Sequence, residues 1–185
     1  MTRIKGVPHG DAGLLTRAVY RFARREFGAV PEPVTVMAHH PRLLLASGRH
    51  ELAVKKAVHG PLAELCVYRT AVKLGCSWCV DFGAMLMKHG GLDIARLRHI
   101  DSYATSELFT DLERKALAYA DAMTDTPVTV TDEQVAELEE LLGRRELVAL
   151  TYEIALENQR ARFNSAFGIA DQGFTSGDAC RVPTH

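Results

Sequence analysis

Glu64 to Gly90 reads ELCVYRTAVKLGCSWCVDFGAMLMKHG, and the rest of the chain is organised around this stretch. It carries two cysteines, Cys76 and Cys79, in the spacing C-x-x-C. Gly75 closes one apolar periodic segment, and a second opens directly behind the cysteines. The pattern predicts that both cysteines lie in the first turn of a helix. There the unpaired backbone N–H groups and the positive end of the helix dipole favour a thiolate, lowering a cysteine pKa from its usual value of about 8.5. A pair so placed is suited to reversible oxidation.

Outward from this stretch, the flanking segments read as helices. On the N-terminal side, Asp11 is the expected N-cap of a helix through AGLLTRAVYRFARREFG, with Leu14, Leu15, Val19, Tyr20 and Phe22 facing inward and Gly28 ending it. Pro31, Pro33 and Pro41 mark a connector with one short helical turn around Thr35–His39. LLLASGRHELAVKKAV follows as one helix or as two broken at Ser47–Gly48, and Gly60–Pro61 restarts the chain for a helix to Leu74. On the C-terminal side, a short segment LDIARLRHI precedes a helix starting at Thr110 or Asp111. Thr131 with Gln134 forms a capping box for the next, and Gly143 stops it. A last helix runs from Arg144 to about Ala170 with Leu147, Leu150, Ile154, Leu156 and Phe163 as its apolar set. No segment alternates at period two over strand length. The expectation is an all-α single-domain bundle over residues 1–185, with a loosely held tail at 174–185.

Composition narrows the function. A 185-residue chain with 47% hydrophobic and 24% charged positions can bury a core of its own. The net charge of -1 gives no electrostatic footprint for nucleic acid or an anionic membrane. The opening MTRIKGVPHG is polar and punctuated by Pro and Gly, and no 18 apolar residues run uninterrupted, so a cytoplasmic protein is expected. In a reducing compartment, a C-x-x-C pair is catalytic or metal-binding rather than a structural staple.

The metal reading is the weaker one. A structural zinc site wants four ligands, whereas Cys66 and Cys180 are solitary and His39 and His40 are adjacent in a connector. A c-type haem would need histidine where Val80 stands. A thioredoxin-like site would need a βαβ context. What remains is a dithiol on a helical scaffold, with neither cofactor nor metal.

The same residues resemble the carboxymuconolactone decarboxylase and alkylhydroperoxidase D-like family. Its signature is a glutamate, eleven residues, C-x-x-C and a histidine four positions on; Glu64, Cys76 and Cys79 match the first three. The segments FTDLERKALAYADAMT, VTDE and ENQRARFNSAFGI are similar to the family's second half, so the likeness covers about residues 35–170. The resemblance implies a peroxidase in which Cys79 attacks the peroxide, Cys76 resolves the sulfenic acid as a disulfide, and Glu64 helps move the proton. It also implies a small-molecule peroxide as substrate, an electron-donating redox partner, and a homo-oligomer, a trimer or a larger ring. Two other readings stand beside it: a non-catalytic helical protein whose thiols sense redox state or merely pack, and a lactone decarboxylase-like member, a branch that does not depend on the cysteine pair.

The departure from the family is at position 83, where Gly83 stands in place of the histidine. Tyr68 and His59 are the alternative acid–base groups. Asp81, two residues past Cys79, reads as a solvated carboxylate, and Glu64 lies ~15 Å along its helix from the cysteines. Trp78 reads as a shield or as packing, Met85, Leu86 and Met87 as core or interface, and the Arg144–Arg145 and Arg160–Arg162 pairs as solvated faces or complements to helix C-termini. Cys66 reads as a small buried hydrophobe and Cys180 as a free thiol.

Overall fold

The computed structural model describes residues 2–58 and 60–175, so His59 and Cys180 lie outside the described residues. Among those described, the chain forms eight α-helices and one 3-10 helix and has no strand. The helices are α1 (Leu14–Phe27), α2 (Glu32–Met37), α3 (Pro41–Ala57), α4 (Pro61–Lys73), α5 (Ser77–His89), the 3-10 helix (Ile94–Ser102), α6 (Asp111–Thr124), α7 (Asp132–Leu142) and α8 (Arg144–Phe167). No helix among them is long and apolar enough to cross a membrane.

Local signals set most of the boundaries. Pro41 and Pro61 open α3 and α4 at first-turn positions, where a missing N–H costs nothing. Thr110 with Glu113 and Thr131 with Gln134 form reciprocal capping boxes at α6 and α7. Gly28 and Gly168 end α1 and α8 in the left-handed conformation that a side chain would resist. Gly48 does not break α3, because the helix is continuous from Pro41 to Ala57.

α4 is the centre. It packs against α5, α6 and α8, while α7 closes over α6 and α8. The core is built from Leu65, Tyr68 and Ala71 of α4, Val80, Ala84 and Met87 of α5, Ala116, Leu117 and Ala120 of α6, and Leu147, Leu150, Ile154 and Ala161 of α8. A smaller core of Ala12, Tyr20, Ala38 and Leu44 holds the N-terminal helices.

The α1 expectation needs correction. Its cap position is Gly13 rather than Asp11, and its buried residues are Thr16, Tyr20 and Ala23, whereas Leu14, Leu15 and Phe22 are exposed. Tyr20 turns the helix: its hydroxyl donates to the Val7 carbonyl at 2.8 Å and its ring joins the smaller core, which rotates the face marked by the leucines outward.

Candidate functional site

α4 and α5 form an antiparallel pair joined at Leu74–Cys76, and Gly75 takes φ 66° to make that turn. Cys76 is the N-cap of α5, and its Sγ accepts the Cys79 backbone N–H at 3.3 Å. The two cysteines are joined as a disulfide, with Cα atoms 5.3 Å apart. Both are close to sealed: Cys76 is 3% exposed and Cys79 7%. The expected placement in the opening turn of a helix is therefore what the structure has. His39 and His40 take no part, and no cluster among the described residues could hold a metal.

Asn164 of α8 also reaches the sulfurs. Its Nδ2 donates to Cys79 Sγ at 3.4 Å and to Cys76 Sγ at 3.7 Å, while its Oδ1 is buried without a hydrogen-bond partner. Sequence reasoning missed this residue, though a signal existed. Leu147, Leu150, Ile154, Glu157, Ala161 and Asn164 recur at steps of three and four and are all buried. Glu157 and Asn164 are thus polar residues set into the inward stripe of α8.

Glu157 is held by Arg160, which also reaches Glu153 at 2.9 Å and Glu51 of α3 at 2.5 Å. Burial pushes the Glu157 carboxyl up to about 7 against the pull of Arg160. Burial alone would lower the Arg160 pKa, but the hydrogen bond and charge of Glu51 and the charges of Glu157 and Glu153 hold it above its ordinary value. Arg160 is therefore not on a solvated face: three carboxylates from two helices gather on its guanidinium and tie α3 to α8.

Asp81 also differs from its expected role. It is 6% exposed. Its Oδ2 accepts from the backbone N–H groups of Gln172 (3.1 Å) and Phe174 (2.9 Å), and its Oδ1 from the N–H (2.9 Å) and hydroxyl (2.8 Å) of Thr175. Four donors replace the water a buried carboxylate gives up. The first residues of the expected loose tail, Phe174 and Thr175, are thereby anchored; 176–185 lie outside the described residues. This strap covers the Trp78 face of α5. Trp78 stacks on Phe82 at 4.7 Å between centroids and donates its Nε1–H to Gln172 at 2.7 Å, and Phe174 packs edge-on against Phe82 at 5.3 Å.

Glu64 stands apart from the sulfurs. It lies on the first turn of α4 and is exposed, and partial desolvation raises its pKa against the opposing charge of Lys55. Tyr68, one turn nearer the thiols and fully buried, packs against position 83: a Cβ built on Gly83 would meet its ring at 3.8 Å. Position 83 is therefore bounded by a tyrosine ring. Cys66 is completely buried, and burial drives its pKa upward, so it is an inert core residue. Met85 and Met87 are core, and Leu86 is exposed.

No family profile matches the sequence. The chain is 32% identical to the uncharacterized protein YnjA of Escherichia coli over 187 residues, covering 95% of this chain and 96% of that one. It is 35% identical to an alkyl hydroperoxide reductase of Mycobacterium tuberculosis over 99 residues, which is 51% of this chain and 28% of the relative. Among solved structures, the debrominase Bmp8, bound as a cysteine-to-alanine variant to 2,3,4-tribromopyrrole, superposes with a TM-score of 0.79 at 20% identity over 94% of both chains. An alkylhydroperoxidase D core protein of Ralstonia eutropha superposes with a TM-score of 0.74 at 19% identity, again over 94% of both. With the all-helical fold, the Glu64-to-Cys76 spacing and the C-x-x-C pair at the head of α5, these likenesses lead to one conclusion: the chain belongs to the alkylhydroperoxidase D-like family.

Proposed function

We propose that the protein is a dithiol oxidoreductase that reduces hydrogen peroxide or an organic hydroperoxide through Cys79 and Cys76. The observation that carries this is the disulfide between two cysteines at the N-terminus of α5, held where a backbone N–H and a carboxamide meet the sulfurs. The Cys79 thiolate attacks one peroxide oxygen; an S–O bond forms, the O–O bond breaks, and the alkoxide or hydroxide released takes up a proton. The Cys76 thiol then displaces water from the sulfenic acid and closes the disulfide. An external dithiol returns both electrons and two protons.

No large backbone motion is needed, because the cysteines share one helical turn. The family likeness supports a proton-moving role for Glu64, exerted from one turn beyond Tyr68. It also supports assembly as a trimer or larger ring, and a cytoplasmic setting suits a disulfide that must be re-reduced.

A halogenated aromatic is the second electrophile that suits this site. The aromatic cluster made by Trp78 and Phe82 of α5 with Phe174 of the strap favours it, and the debrominase of like fold is the precedent. The test is single-turnover oxidation of the reduced protein and of Cys76→Ser, Cys79→Ser and Glu64→Gln, followed by mass spectrometry. Sulfenate trapped on Cys79 in Cys76→Ser and absent from Cys79→Ser supports the peroxidase. Turnover of a bromopyrrole without peroxide consumption supports the second reading. Inert thiols leave a structural or redox-sensing protein, and lactone decarboxylation unaffected by either cysteine substitution would indicate the family's other chemistry.

A further inference from the structure

We propose that the carboxamide of Asn164 selects Cys79 over Cys76 as the charged, attacking sulfur. This inference rests on the dithiol reading above. Backbone geometry alone favours the other cysteine: Cys76 occupies the N-cap and its Sγ receives the Cys79 N–H at 3.3 Å, the arrangement that stabilises a thiolate at a helix start. If nothing opposed it, the negative charge would settle on Cys76. Asn164 opposes it. Its Nδ2 lies nearer Cys79 Sγ, at 3.4 Å, than Cys76 Sγ, at 3.7 Å, and it approaches from α8, the helix that faces the opening turn of α5.

The location of the group sharpens the argument. Asn164 is 2% exposed on the mostly apolar inward stripe of α8, and a carboxamide there is costly unless its polar atoms are used. Disulfide sulfur is a weak acceptor, so Nδ2 gains little in the oxidised state; the same N–H facing a thiolate makes a charge-assisted bond. Oδ1, buried without a hydrogen-bond partner, is available to accept a thiol S–H on reduction or a sulfenic O–H after oxidation. Both ends of the side chain therefore match states that the redox cycle passes through. Packing along α8 holds the donor in place beforehand, so no reorganisation is needed when charge appears.

The test uses the reduced protein with Cys180 replaced by serine, treated with limiting iodoacetamide at neutral pH and analysed by peptide mapping. With Asn164 present, alkylation falls mainly on Cys79. Asn164→Leu, which keeps bulk and removes the donor, shifts the Cys79-to-Cys76 ratio toward Cys76 by about tenfold, the size expected for one hydrogen bond to a charged group. Asn164→Asp shifts it at least as far, because a carboxylate repels a thiolate. In a Cys76→Ser background the Cys79 pKa rises by about one unit with either substitution. Should the variants fail to fold, the Asn164 side-chain N–H resonances of the unsubstituted protein serve instead: they shift with the ionisation of Cys79.

An unchanged alkylation ratio and Cys79 pKa in folded variants, or side-chain resonances that ignore the titration, would leave Asn164 a packing residue and overturn the proposal. None of these readouts requires peroxide. A protein that shows the shift yet ignores peroxide refutes the peroxidase reading, and one that reduces peroxide without the shift refutes the role of Asn164.

Discussion

Replacing Asp81 by asparagine isolates the strap that covers α5. The substitution preserves shape but leaves only one carbonyl oxygen where two carboxylate oxygens served four donors, and it turns an NH2 toward two of them. Each donor stranded in a buried site costs about 1–3 kcal/mol, so two put the loss near 3 kcal/mol. For a chain of this length that lowers the midpoint of thermal unfolding by about 6–12 °C. A local readout accompanies the global one. Trp78 is the single tryptophan, 8% exposed and tied to the strap through Gln172, so a released strap shifts its emission to the red. Circular dichroism gives the melting point and fluorescence the local change. A midpoint within about 1 °C of wild type together with unchanged emission would mean that Asp81 does not hold the strap, and the reasoning would be wrong.

The buried cluster around Arg160 predicts a pH dependence. Glu157 has a folded pKa near 7, raised by burial above its ordinary value, so the folded state binds the proton more tightly than the unfolded state. The stability this group contributes is present below its unfolded pKa of about 4.5 and is lost as pH rises through 7. The unfolding midpoint of Glu157→Gln should therefore improve relative to wild type between pH 5 and pH 8, and a constant difference would contradict the assignment. Gly83→Ala places a methyl at ordinary contact distance from Tyr68 and removes a glycine from a helix interior, a gain of about 0.5–1 kcal/mol in denaturant unfolding. Asp121 accepts two bonds from Arg69 and one from Tyr103, so Asp121→Ala should destabilise by about 3 kcal/mol in the same assay. In native, reduced protein Cys66 should resist alkylation while Cys76 and Cys79 react, as peptide mapping would show.

Much of this architecture is legible from residue types alone, because its boundaries are made by local chemistry. Thr110, Thr131, Pro41, Pro61, Gly28 and Gly143 act on their immediate neighbours, and the structure has helix ends at each. The C-x-x-C pair is legible for the same reason: its placement depends only on where α5 starts. Features that depend on distant partners are not. Asp81 is two residues from Cys79 in sequence, yet its donors lie about ninety residues away at Gln172, Phe174 and Thr175. Arg160 reads from the sequence as a solvated residue or a helix C-terminal complement because Glu51, which binds it through two hydrogen bonds, is on another helix. Tyr20 rotates α1 through a contact with Val7 that no periodicity records. Asn164 lies between: its place in the inward stripe of α8 is visible in the spacing, but the sulfurs it meets belong to α5.

In the proposed reaction Cys76 and Cys79 cycle between dithiol and disulfide at the expense of a peroxide. Its most direct test is the intact mass of the fully reduced protein after one equivalent of an organic hydroperoxide. The expected result is loss of two hydrogens, with one equivalent of the corresponding alcohol released and the new bond mapped to Cys76 and Cys79. Reduced protein of unchanged mass, or oxygen added elsewhere while both thiols stay free, would contradict it.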